Sequence, residues 1–256
     1  MSVQTFGDVT LTRRDAVAEV VFSRPPNNFF DFALIRDIAT ALETIDQAPE
    51  LRAVVLASDG KSFCAGASFS GGEGGSSDPG VLYKEALRIF ATRKPIVAAV
   101  QGAAIGGGMG LAMAADFRVV SPETRLAANF VKIGIHPGFG LTHTLPRAIG
   151  VQAAALLFYT GRRIGGEEAV RMGCADLLAP AETLREAALG LAAEIAENAP
   201  LAVESTRATL REGMVEAIAA QTAHESREQI ALFATEDFKE GVRAVAERRR
   251  GEWRAA

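Results

Sequence analysis

The sequence predicts an α/β core followed by a helical C-terminal arm. Up to about residue 150, apolar runs of strand length alternate with segments whose apolar residues recur at helical spacing. Beyond that point nearly every apolar segment is helical in period. The chain has 256 residues and 48% hydrophobic content, enough to bury a large core in one or two domains.

Taken in order, AVAEVVF (16–22) reads as a strand stopped by Ser23-Arg24-Pro25-Pro26. Phe32–Ala48 carries Leu34, Ile35, Ile38, Ala41, Leu42 and Ile45 on one helical face. LRAVVLAS (51–58) is a continuous apolar run, the pattern of a strand covered on both faces. SGGEGGSSDPG (70–80) reads as a Gly-rich surface loop, either a plain connector or a lid beside a site. Val81–Thr92 is helical, IVAAVQG (96–102) a strand, Met109–Ala115 a short helix of small residues, and DFRVVS (116–121) a strand. Helices are then expected over 151–159, 166–172, 184–197, 201–218, 219–233 and 240–249, with breaks at Gly165 and Asn198-Ala199-Pro200.

Bulk properties narrow the function. A net charge of −4 with 23% charged residues argues against nucleic-acid and membrane-surface partners, which favour a basic face. The basic run Glu247–Arg250 reads as a solvated helix face. Cys64 and Cys174 form no CxxC pattern, and the first fifteen residues lack a signal-peptide pattern, so a reduced cytoplasmic protein is expected. Apolar runs such as Pro95–Val100 are far too short to span a bilayer. The three histidines have no ligand spacing, and no metal site is expected.

The informative stretch is AAIGGGMGLAMAADFRVV (103–120), a strand, three glycines and a helix start. Such a turn leaves backbone N–H groups unpaired at the positive end of a helix, where an anion or a developing oxyanion can sit. The spacing of Gly106, Gly108 and Gly110 is wrong for a dinucleotide fingerprint, and no lysine follows for a P-loop. A second strand-to-turn junction, Phe63-Cys64-Ala65-Gly66-Ala67-Ser68-Phe69, offers another N–H of the same kind.

With these two turns the sequence resembles the crotonase, or enoyl-CoA hydratase/isomerase, superfamily. The likeness runs in order through SRPPNN (23–28), FCAGASF (63–69), 94–120, KIGIHPGFG (132–140), TGRRIGGEEAVRMGCAD (160–176) and 233–249. It implies the ClpP/crotonase-like spiral of ββα units, with a core over 1–195 and a helical C-terminal trimerisation region over 196–256. It also implies a homotrimer or a hexamer, and an acyl-CoA thioester as substrate with no separate cofactor.

By motif match, the resemblance assigns the oxyanion-hole N–H groups to Ala67 and Gly107. Ala65, Ser68 and Phe69 would line the adenine pocket, although many relatives have Asp where Ser68 stands. Arg24 and Lys239 fall where relatives hold the CoA phosphates, and Phe233 where an aromatic borders the nucleotide. Each of these three also reads as an ordinary surface cation or core aromatic.

The chain departs from the family at the two glutamates that activate water in hydratases. Their positions are Gly110 and Phe130. Neither residue can carry a proton, so ordinary hydration and double-bond isomerisation are not expected. His136, in the loop that lines the acyl end in relatives, is the candidate acid–base; its other reading is a loop histidine bonded to backbone. His143 is expected to be structural, while Glu73 and Asp78, in the Gly-rich loop, could swing in to substitute for the missing carboxylates. Gly110 would leave space for a carboxylate from the substrate or for bound bicarbonate, and Phe130 would favour a bulky or hydrophobic acyl group. A hydratase using such substitutes and a non-catalytic acyl-CoA-binding protein are the competing readings. A serine hydrolase acting through Ser68 lacks the Gly-x-Ser-x-Gly elbow.

Overall fold

A computed structural model of the chain describes residues 3–67 and 78–256. The elements, in chain order, are β1 (Val3–Phe6), β2 (Val9–Arg14), β3 (Val17–Phe22), α1 (Phe32–Asp46), β4 (Ala53–Ser58), α2 (Pro79–Phe90), β5 (Ile96–Val100), β6 (Ala103–Ile105), α3 (Gly107–Ala114), β7 (Phe117–Val120) and β8 (Arg125–Ala127). A single 3-10 turn, Phe130–Ile133, leads to α4 (Leu141–Ile149) and α5 (Val151–Thr160). Then come β9 (Arg163–Gly165), α6 (Gly166–Met172), β10 (Leu177–Leu178), α7 (Leu184–Ala196), α8 (Pro200–Leu210), α9 (Met214–Phe233) and α10 (Glu236–Ala246).

Seven strands form one sheet in the order β1-β2-β3-β4-β5-β7-β10, antiparallel through β3 and parallel beyond it. The short strands β6, β8 and β9 form a second sheet. Two successive units, β5-β6-α3 and β7-β8-α4, each give one strand to the large sheet and one to the small before a helix closes the turn. This is the ββα spiral.

The large sheet is covered on both faces, as the all-buried patterns of β3, β4 and β5 require. One face carries the main core, in which α1, α2 and α3 take part. The other face, with Val55, Ala57, Val97, Ala99 and Val119, is covered by α7 through Leu184, Ala188, Ala192 and Ala196. Those four recur every fourth residue, so one side of α7 is a row of small side chains that lets its backbone approach the sheet.

The C-terminal helices fold back on this core. Arg207 of α8 and Arg211, its C-cap, meet Asp116, whose Oδ2 also accepts from the Ile96 N–H at 2.8 Å. Helix α9 packs along α2 and α4, and α10 packs on the 3-10 turn.

Three local expectations change. The helix break expected between 218 and 219 lies at 211–213, where Arg211 caps the end of α8 and Gly213, left-handed with φ 71°, opens α9. The region after 150 is not purely helical, because β9 and β10 complete the two sheets. The β1–β2 hairpin also escaped the sequence: β1 is exposed along most of its length, and the alternation of β2 covers only Val9 and Leu11.

Candidate active site

The two glycine turns meet. Cys64 sits beside β6, donating its N–H to Ala103 O and accepting from the Ile105 N–H, each at 3.0 Å. Gly66 follows with φ +86°, and a Cβ there would stand 2.8 Å from Ile105 O and 3.4 Å from Gly107 N. Gly108 approaches closer still: its Cβ would fall 2.0 Å from Cys64 O. Side chains are therefore excluded from both turns by contact, and Ala67 is brought beside the start of α3.

From the other side, Phe30 donates its N–H to Gly66 O at 3.0 Å and bridges Ala67 in parallel register. Gly106 (φ 56°) turns the chain into α3, and the Gly107 N–H opens that helix as its first orphan donor. Neither the Ala67 nor the Gly107 N–H has an acceptor among the described residues. Two donors at a helix N-terminus, walled by apolar side chains, suit an oxygen that gains negative charge.

Asn28 is the part that sequence reasoning missed. Fully buried, it donates to Asp59 O and Ser62 O, each at 2.7 Å, and accepts from the Arg24 N–H at 2.7 Å. The neighbouring Asn27 O accepts from the Ala65 N–H at 3.0 Å. The SRPPNN segment thus pins the first glycine turn. Cys64 accepts from the Gly66 N–H at 3.4 Å, and burial pushes its thiol up to about 12, which makes it a structural rather than a nucleophilic group.

Around the second turn stands an aromatic wall. The Phe30 ring lies 2.4 Å from the Cβ position of Gly107, and the Phe130 ring 3.7 Å from that of Gly106. Phe139 lies 2.7 Å from the Cβ position of Gly110, with its ring 5.5 Å from Phe30. Gly110 therefore does not leave the space expected for a carboxylate or bicarbonate, because Phe139 fills it. The wall is apolar, with Phe130 on its Gly106 side.

His136 is held by α9. Its Nδ1–H donates to Pro137 O at 2.7 Å, its carbonyl accepts from Gln229 Nε2 at 2.8 Å, and its ring meets His224 edge-on at 5.7 Å. With the proton fixed on Nδ1, the lone pair is on Nε2. No hydrogen bond joins His136 to either glycine turn among the described residues.

The cations expected to meet CoA are already paired within the protein. Arg24 is paired with Asp8 at 2.6 Å and Asp31 at 2.7 Å, and these acids outweigh partial burial to raise its pKa. Lys239 pairs with Glu236 at 2.6 Å on the surface, and Phe233 lies 5.0 Å from the Phe238 ring. Ser68, Phe69 and Glu73 lie outside the described residues. Asp78 is not free to swing, since it caps α2 at the Gly80 N–H and accepts from Ser226 Oγ at 3.0 Å. His143 stands on α4, where burial and Arg147 lower its pKa, in keeping with a structural role.

A family model described as enoyl-CoA hydratase/isomerase matches residues 12–256. The chain belongs to the enoyl-CoA hydratase/isomerase family. A short-chain-enoyl-CoA hydratase of Clostridium acetobutylicum is 33% identical over 250 residues, covering 95% of this chain and 96% of the relative. A carnitinyl-CoA dehydratase of Proteus mirabilis is 32% identical over 253 residues, 95% and 97% covered. Among solved structures, an enoyl-CoA hydratase/isomerase from Pseudoalteromonas atlantica superposes with a TM-score of 0.88 at 27% identity, covering 96% of this chain and 100% of that one. A carnitinyl-CoA hydratase from Mycobacterium avium gives a TM-score of 0.85 at 30% identity, with 98% and 100% covered. Membership of the enoyl-CoA hydratase/isomerase family makes the chain an acyl-CoA enzyme with the crotonase fold.

Proposed function

We propose that this enzyme converts an acyl-CoA thioester through an enolate whose oxygen is held by the N–H groups of Ala67 and Gly107, and that it is not a standard hydratase. The contact between Gly66 and Gly107 carries this reading, because it sets two unpaired donors side by side. In a site closed to water, one such donor contributes roughly 3–4 kcal/mol to the transition state.

The reaction is directed away from water addition by what flanks the donors. Gly110 and Phe130 supply no carboxylate, and Phe139 occupies the place where a side chain at 110 would reach the substrate. The proton at the α-carbon is carried by His136, whose Nδ1–H is fixed by Pro137 O and whose Nε2 is left basic. The nucleotide end of CoA is held by backbone near Ala65, with Lys239 and Arg24 meeting phosphates and Phe233 beside the base. Lys239 exchanges an exposed carboxylate for phosphate at little cost, whereas Arg24 must leave two acids. The enzyme works in the cytoplasm as a homotrimer or a hexamer; exposed apolar side chains on α5 (Val151, Tyr159) and α8 (Leu201, Leu210) support the assembly.

The test is mass spectrometry of saturated, 2-enoyl, 3-enoyl, malonyl-type and aromatic acyl-CoAs incubated with the enzyme in D2O. Deuterium gained at the α-carbon, or bond cleavage there, without hydration of the 2-enoyl thioester is the expected result. Rapid water addition to the 2-enoyl thioester overturns it. If every thioester binds and returns unchanged, the protein is an acyl-CoA binder.

A further inference from the structure

Phe139 is held in a conformation that its side chain resists. Its backbone is left-handed, with φ 65°, where an L residue with a Cβ is strained and glycine is the usual occupant. It is also almost completely buried. Such a residue persists only where its surroundings over-determine it.

Those surroundings are specific. Tyr83, whose ring meets Phe139 edge-on, donates its hydroxyl to Gln229 Oε1 at 2.8 Å. The next N–H, of Gly140, donates to the buried carboxylate of Glu225 at 2.7 Å. The ring itself packs against Phe30, Phe90 and Tyr83, with centroids 5.5, 6.4 and 6.5 Å away. Helices α2 and α9 thus grip the turn from two sides and drive the side chain onto Gly110. Because Phe30 in turn covers Gly107, the ring stands one aromatic layer from the proposed oxyanion donors.

We propose that Phe139 is the residue that ends the acyl cleft, so that the enzyme accepts only acyl groups of a few carbons. This rests on the oxyanion reading of Ala67 and Gly107, which fixes where the thioester carbonyl lies and hence which carbons reach Gly110. A straight chain extended past that point meets the Phe139 ring, which is packed between Tyr83 and Phe90 while Glu225 holds the next N–H of the turn.

The test is calorimetric binding of acetyl-, butyryl-, hexanoyl- and octanoyl-CoA to the full-length protein and to Phe139→Gly, which keeps the left-handed backbone without strain. Phe139→Ala is the second variant should the first fail to fold. An apolar cleft strengthens binding about three- to fourfold for each methylene it admits. In the wild type that gain stops after a few carbons; in Phe139→Gly it continues, so that octanoyl-CoA improves by about tenfold or more while acetyl-CoA is nearly unchanged. The same stopping point in both proteins, or a wild-type affinity that rises without a break to octanoyl-CoA, overturns the proposal and leaves the oxyanion reading standing. Failure of the wild type to bind any of the four overturns both.

Discussion

Phe139 Cβ stands 2.7 Å from the point where a Cβ at Gly110 would sit. The two positions are therefore one steric unit, in which the third glycine of α3 is the complement of an aromatic ring from a distant loop.

Gly110→Ala should destabilise the wild type by about 1–3 kcal/mol, since it overpacks against a Cβ that has no freedom to move. In the Phe139→Gly background that Cβ is gone, and the same substitution should cost far less. Urea unfolding of the four proteins in the cycle measures the coupling; additive effects would show that the contact carries no energy.

The Gly107 N–H is tested by comparing two substitutions. Gly107→Pro removes the donor at the first position of α3, where helices tolerate proline, while Gly107→Ala keeps it. Both must displace the edge of the Phe30 ring. The proline variant should exchange α-protons about a hundredfold more slowly than the alanine variant. Equal rates would remove Gly107 from the mechanism.

His136 is tested by substitution. His136→Gln should abolish α-proton exchange while leaving butyryl-CoA affinity within about threefold, since no binding contact is lost. An unchanged exchange rate would return His136 to the role its bonds to Pro137 and Gln229 describe.

Glu225 makes stability pH-dependent in an unusual direction. Burial pushes its carboxyl up to about 7, against the pull of the Thr142 hydroxyl and the Gly140 and Thr142 N–H groups. Between its ordinary value and about 7 the folded state keeps a proton that the unfolded chain releases, so this group's contribution falls as pH rises through that window and is flat above it. The loss is on the order of 3 kcal/mol. Glu225→Gln should remove it, so the stability difference between wild type and variant should change between pH 5 and 7.5 in denaturant titrations. A constant difference would place the carboxyl at its ordinary value.

Asn28→Ala should cost about 2–4 kcal/mol, because it removes the partner of two part-buried carbonyls and one N–H at once. It should also slow α-proton exchange, since the first glycine turn loses its anchor. Exchange at the wild-type rate in a folded Asn28→Ala protein would show that the turn holds itself.

The sequence by itself determined the elements whose signal is local. Strands β3, β4, β5 and β7 and helices α1, α2 and α7 announce themselves through runs and periods that their own residues carry. It also determined that two glycine turns exist and that positions 110 and 130 hold no carboxylate. What only the tertiary structure decided are the relations between distant segments. That Gly66 touches Gly107, that Arg24 is taken by Asp8 and Asp31, and that Asn28 stitches two loops together depend on chain crossings that no local pattern encodes. Phe139 is the clearest case. In sequence the vacancy at Gly110 reads as open space, because a missing side chain says nothing about its neighbours. The packing of α2 and α9 forces a left-handed turn and delivers an aromatic ring into that space, and close-packed interiors leave no such volume empty.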